Sequence, residues 1–171
     1  MVKKAESRKS PLRFVVHEHH ASHLHYDFRL EMGGVLRSWA IPKGPSMNPK
    51  DKRLAIMVED HPLEYAKFEG IITEGYYGAG AVIIWDQGQY VPLKAEQPER
   101  QIEKGRMGFI LKGKKLKGSF ALSLLKSKGR NQWLLIKKQD NMAETNWKIK
   151  PVLTDEKRKS LKYKVPSCEA S

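Results

Sequence analysis

HEHHASHLHYDFRLEMGGVLRSWAI, residues 17–41, holds the clearest strand and turn signals of the chain. Tyr26 to Met32 and Val35 to Ile41 are alternating, β-rich runs, and Gly33-Gly34 between them is a two-residue hairpin signal. Alternate side chains of a strand share a face, so Tyr26, Phe28 and Leu30 form a core face. His25, Asp27 and Arg29 then stand on the other face, an imidazole, a carboxylate and a guanidinium at steps of about 7 Å. Working outward, Leu54 to Glu59, Ala81 to Asp86, Gly108 to Leu111, Ser119 to Leu125 and Trp133 to Lys138 continue the strand pattern. Phe14 to His17 adds an opening strand and Tyr65 to Phe68 a short one. Pro42 to Pro45 and Glu74 to Gly80 read as loops. Pro98 to Lys104, with Pro at its start and Gly105 at its end, is the one helical candidate.

Seven to nine strands without βαβ alternation imply an all-β fold, a compact closed antiparallel β-barrel with few short helices, because closure removes exposed edges. The expected boundaries are a flexible basic tail over residues 1–12, the barrel over 13–153 and a flexible tail over 154–171. No stretch approaches the roughly 18 apolar residues of a membrane span. The single cysteine, Cys168, cannot form an internal disulfide, and a cytoplasmic protein is expected. The net charge of +13 favours a polyanionic partner. It is concentrated: Arg100 to Lys150 holds fourteen basic and three acidic residues, +11, whereas Lys50 to Glu99 holds five and nine, −4. That stretch is expected to dock nucleic-acid phosphates.

Five of the six histidines lie between His17 and His25. His19, in the entering segment, is close enough to fold back onto His25. Two imidazoles and a carboxylate are a common ligand set for a divalent transition metal with open positions. An arginine two residues beyond the carboxylate adds a fork for anionic oxygens. Nothing in the sequence sets the direction of His17, His20 and His23, and the last two read as solvated surface histidines. Glu59 and His61, two apart, can share a face. His61 reads as a proton donor or transition-state clamp, or as a turn histidine before Pro62. Tyr65 reads as a site residue or a core aromatic.

FVVHEHHASHLHYDFRLEMGGVLRSWAIPKGPS, KRLAIMVEDHPLEYAKFEG and GYYGAGAVIIWDQG, running in order from Phe14 to Gly88, resemble the 3′-phosphoesterase domain of DNA ligase D. The resemblance continues more loosely to Trp133-Leu-Leu-Ile-Lys-Lys. It implies a β-barrel, a manganese ion with zinc, cobalt or cadmium as substitutes, and repair of DNA strand ends. By the family pattern the metal falls on His19, His25 and Asp27, and the phosphate-contacting arginine on Arg29. His61 and Tyr65 match site positions, with Glu59 in support and Arg53 and Lys43 as further phosphate contacts. The implied substrates are DNA or DNA/RNA primer–template 3′ ends bearing a 3′-phosphate or a 3′-ribonucleoside. The implied partners are a separate ligase, polymerase or Ku-like end-binding protein, with the chain itself a monomer. A freestanding form, without a polymerase or ligase module, is expected.

There are two departures. His17 stands where the family usually has Gln, and only thirteen residues, with Glu6 the sole acid, precede Phe14 where the family often has a longer arm. Monoester cleavage is therefore expected to exceed diester cleavage. Two other classes compete. A non-haem iron oxygenase would use His25, Asp27 and His61 as a facial triad with His19 a bystander, and a non-catalytic nucleic-acid-binding barrel needs only basic strands with aromatics.

Overall fold

The computed structural model describes residues 11–165. The expected N-terminal tail lies almost wholly outside the described residues, as does Cys168. Strands β1 (Leu12–His20), β2 (Leu24–Met32), β3 (Val35–Ile41) and β4 (Lys52–His61) are followed by a short β5 (Gly70–Ile72) and a long β6 (Gly80–Pro92). After helix α1 (Pro98–Glu103) come β7 (Arg106–Lys112), β8 (Lys117–Leu124) and β9 (Gln132–Lys137). Eight strands close in the order β1-β2-β3-β4-β9-β8-β7-β6, with β6 pairing back to β1. The all-β closed antiparallel barrel expected from the sequence is the fold.

Local chemistry accounts for the elements. Gly33 and Gly34 both have positive φ, 61° and 81°, as the mirror-image turn of a two-residue hairpin needs. They set Met32 against Val35 and, further along, Arg29 against Ser38. Tyr26, Phe28, Leu30 and Met32 are buried, as the alternation of β2 requires. Their partners come from the far wall: the Phe28 ring stacks on Phe109 of β7 at 6.0 Å, and Phe109 on Phe120 of β8 at 6.3 Å. Trp39 meets Trp133 edge-on at 5.8 Å. Each such ring contributes about 2 kcal/mol by leaving water, so the interior is an apolar core, not a pore.

The chain beyond β9 crosses one end of this core. Trp147 donates its indole N–H to the Pro45 carbonyl (3.1 Å) and Trp85 donates to the Lys150 carbonyl (2.9 Å). Glu18, fully buried, accepts the backbone N–H groups of Val152 (2.6 Å) and Leu153 (3.0 Å).

Two expectations are corrected. Tyr65 to Phe68 is not a strand: Leu63–Lys67 is a 3₁₀ turn entered from Pro62. Tyr65 and Phe68, three apart, stack at 4.6 Å and 12°, a contact that a helical turn makes and a strand prevents. The segment after Leu153, expected as a tail, carries helix α2 (Asp155–Ser160), whose first turn Thr154 caps by accepting from the Lys157 N–H. Strand β10 (Tyr163–Lys164) follows and adds in parallel to β5, satisfying an edge the barrel leaves open. The charge-dense hairpin β7–β8 lies in the wall across the barrel from β2 and β3.

Candidate functional site

Because the even positions of β2 fill the core, its odd positions line the outer wall. Register does the rest. In the β1–β2 pair His19 lies opposite His25 and His17 opposite Asp27, so all four face outward together. One ligand atom from each of His19, His25 and Asp27 falls within 4.8 Å of the others, a group that can hold a metal ion.

The hydrogen bonds fit that reading. His19 Nε2 sits 2.6 Å from the Gly78 carbonyl, and His25 Nδ1 sits 3.2 Å from the His23 carbonyl. A carbonyl only accepts, so these outer nitrogens carry the protons. The inner nitrogens, His19 Nδ1 and His25 Nε2, then turn lone pairs towards Asp27 Oδ2 (3.2 Å) and Oδ1 (3.3 Å). Acceptors facing acceptors at that range need a proton or a cation between them. Metal-bound imidazoles use the same arrangement, the outer N–H fixed by a carbonyl. Burial alone would raise the Asp27 carboxyl, but where a proton sits between it and the inner nitrogens, the hydrogen bonds from His19 and His25, with the Arg29 charge, hold it well below the usual carboxylate range. It therefore stays an anionic ligand. Burial tends to lower His25, and its bond to Asp27 outweighs that and raises it.

Arg29 is almost fully buried and is held from several sides. Its Nε donates to His17 Nδ1 (3.0 Å), and its Nη1 donates to Ser38 Oγ (2.9 Å) and lies 3.2 Å from His61 Nδ1. Nη2 lies 3.5 Å from Asp27. His17, accepting at Nδ1, donates Nε2–H to the Phe68 carbonyl at 3.1 Å. Burial and the adjacent Arg29 charge hold its imidazole well below the usual range, so His17 is a neutral bridge. Tyr65 supports the same group: the Arg29 guanidinium lies over its ring at 4.9 Å, and His61 and His17 pack against it at 4.7 and 5.3 Å. These contacts assign both readings of Tyr65 at once, a packed aromatic and a cavity wall.

His61 reaches the site through an irregularity. Ser38 pairs with Val58 but Leu36 pairs with His61, so β4 carries one extra residue there, a β-bulge. Before the bulge the even positions of β4 face outward; after it, His61 does. Burial, then the Arg29 charge, lower His61 to about 4, so at neutral pH it is uncharged, not the cationic donor its ordinary titration suggests. Glu59 lies exposed at the rim.

These residues surround an open cavity of about 570 Å³, walled by His19, His25, Asp27, Arg29, Glu59, His61 and Tyr65, with Tyr77 and Gly78 on the opposite lip. Two sequence assignments are not brought there. Arg53 lies opposite Leu135 and shares its side of β4 with Ala55 and Met57, the core side, and its guanidinium pairs with Asp51 at 3.6 Å. Lys43 is exposed on the loop after β3 and is absent from the cavity wall. Three contributors are not singled out by the sequence: Ser38 and the carbonyls of Phe68 and Gly78. Ser38 is readable in principle, since the Gly33-Gly34 turn fixes it opposite Arg29. His20 bonds to Glu18 (2.6 Å), away from the metal group. The oxygenase assignment is reversed, because His19 belongs to the ligand group and His61 faces Arg29 instead.

A β-barrel that carries a His–His–Asp group beside a buried arginine on its outer wall can hold a metal ion next to a cation for anionic oxygens. More particularly, residues 17–124 match the family model of the DNA ligase D 3′-phosphoesterase domain, and the chain belongs to that family. It is 52% identical over 135 residues to the multifunctional non-homologous end joining protein LigD of Pseudomonas aeruginosa, covering 78% of this chain and 16% of that protein. It is 41% identical over 148 residues to the protein of the same name from Mycolicibacterium smegmatis, covering 84% and 19%. To the multifunctional non-homologous end joining DNA repair protein LigD of Mycobacterium tuberculosis it is 49% identical over 121 residues, covering 71% and 15%. The chain thus spans less than a fifth of the length of these relatives.

Proposed function

We propose that this chain is a hydrolase that removes phosphate esters from the 3′ end of a DNA strand during end joining, with a divalent metal, manganese, held by His19, His25 and Asp27. The observation that carries the reading is the convergence of those three ligands with Arg29 on one cavity. When bound, the metal polarises a phosphate oxygen and lowers the pKa of a water that can attack phosphorus. Arg29, locked at Nε by His17 and at Nη1 by Ser38, offers its Nη2 edge to a second phosphate oxygen. It is aligned before substrate arrives, so little reorganisation opposes the transition state. Neutral His61 has Nδ1 3.2 Å from Arg29 Nη1 and 3.1 Å from the Glu59 carbonyl, and offers Nε2 to the phosphate. The approaching dianion favours uptake of a proton from water by His61, which then gives the Nε2 proton to the leaving 3′-oxygen. Glu59, on the cavity rim, steers water or the ribose hydroxyl in this reading. The substrates are primer–template ends with a 3′-phosphate, a monoester, or a 3′-ribonucleoside, a diester. The proposal places the chain in the cytoplasm as a monomer, acting beside a ligase, polymerase or Ku-like partner.

The decisive experiment incubates a labelled primer–template bearing a 3′-phosphate or 3′-ribonucleotide with the protein and manganese. Phosphate or nucleoside release that chelation stops supports the reading. DNA binding without release at any manganese concentration leaves only the nucleic-acid-binding barrel.

A further inference from the structure

Tyr77 is an anomaly on the cavity wall. It is 75% exposed, the most exposed large hydrophobic side chain among the described residues, yet it lines the same cavity as the metal group. No ring or hydrogen-bond partner meets its side chain among the described residues. The turn that carries it is nevertheless tied down at both ends. At its start, Thr73 donates its N–H to the Lys164 carbonyl of β10 at 3.2 Å. At its end, the Gly78 carbonyl accepts from His19 Nε2 at 2.6 Å. Gly78 has φ +80, and a Cβ there would come within 3.2 Å of His19 Cε1, so the close approach depends on glycine. Within the turn, Tyr76 N–H bonds to Thr73 and Ala79 N–H to Tyr76. An aromatic ring is thus held out to solvent one residue from the carbonyl that orients a metal ligand.

We propose that Tyr77 is the stacking platform for the terminal nucleobase of the strand whose 3′ end enters the site. The inference rests on the 3′-end reading above and adds the group that recognises the nucleotide rather than its phosphate. The base hangs from the same sugar that carries the phosphate, so a phosphate at the metal group brings the base to the cavity lip, where Tyr77 stands. Arg29, His61 and the metal ligands read only charge and oxygen geometry. A nucleoside on the reacting phosphate needs an aromatic face, and every base offers a π-surface to one, so the contact is tolerant of sequence. The neighbouring Tyr76, 39% exposed and not on the cavity wall, supplies a control on the same turn.

The test crosses the protein change with removal of the base. Primer–templates ending in a 3′-phosphate are made with 2-aminopurine, or with an abasic deoxyribose, as the terminal residue. On the base-bearing end Tyr77→Ala should raise KM for phosphate release about tenfold or more, the size of one stacked base. Tyr77→Phe and Tyr77→Trp should restore it, and Tyr76→Ala should match the parent. On the abasic end Tyr77→Ala and the parent should have the same KM. In parallel, 2-aminopurine fluorescence should be quenched on binding to the parent, Phe and Trp proteins, and stay bright with Tyr77→Ala. An equal penalty on both ends, or none on the base-bearing end, overturns the proposal. If the parent releases phosphate from no DNA end, the 3′-end reading fails, and the quenching series alone decides the stacking.

Discussion

The pairing of Arg29 with His61 can be tested through a proton. His61 is held at about 4, first by burial and second by the guanidinium whose Nη1 lies 3.2 Å from its Nδ1. At that separation, and an effective dielectric of about 20, two unit charges would repel by about 5 kcal/mol. The guanidinium spreads its charge and part of His61 meets solvent, which reduces this to about 1–2 kcal/mol, roughly one pKa unit. Arg29→Gln should therefore raise the His61 pKa by about one unit and leave the burial contribution in place. Titration of the histidine C–H resonances by NMR, assigned through His61→Gln, measures both values. Inorganic phosphate should raise the His61 pKa in the parent and do so less in the variant. The sign follows for stability as well. The unfolded chain takes up a proton near 6.5 and the folded chain only near 4. The stability contributed by a neutral His61 is thus complete above 6.5 and lost as pH falls from 6.5 to 4. A His61 that titrates near 6.5 in the free parent protein rules this coupling out. So does an Arg29→Gln protein in which it stays at about 4.

Replacing His19, His25 or Asp27 by Ala should abolish manganese binding by calorimetry and phosphate release together. Cooperative thermal unfolding should persist, because the group stands outside the apolar core. His61→Ala should impair release of a 3′-phosphate more than removal of a 3′-ribonucleoside, since the dianionic monoester leans harder on a proton donor, whereas Arg29→Ala should impair both. Rates for both ends on one duplex decide it. DNA affinity should fall steeply with salt, and neutralising Lys112, Lys114, Lys115 and Lys117 together should flatten that slope if the β7–β8 hairpin contacts phosphates. An unchanged slope would assign the contacts elsewhere.

What is legible in the sequence is whatever depends on period and on short turns. The alternation of β2 separates Phe28 from Asp27 without reference to any other strand. The Gly33-Gly34 turn sets Met32 opposite Val35 and, counting outward, Arg29 opposite Ser38. The His19–His25 pair is accessible as proximity, and the structure supplies its register. Helix α1 is marked by Pro98 and Gly105. In each case the information lies within a few residues of its consequence.

The misplacements come where a non-local contact overrides the local pattern. Arg53 has the chemistry of a phosphate ligand, but its direction is set by pairing with β9, far away in sequence, which turns it towards Leu135. His61, three residues beyond the outward-facing Val58, would be misdirected by the same parity had the bulge not absorbed the odd residue between them. Tyr65 and Phe68 look like strand residues, and only Pro62 and the shared need to cover Arg29 and His17 make a turn the better solution. Residues 154–164 look like a solvated tail because their charges face water. Their order comes from backbone hydrogen bonds to β5 and from the Lys157–Glu69 pair at 3.0 Å, neither of which leaves a hydrophobic signature. The division has a physical basis. Folding of the barrel is driven by apolar area, which periodicity reports, whereas the site is built on the outer wall from polar groups aimed by bulges, carbonyls and register. Those devices cost little apolar area to change, so polar groups on this wall can be re-aimed without disturbing the core beneath it.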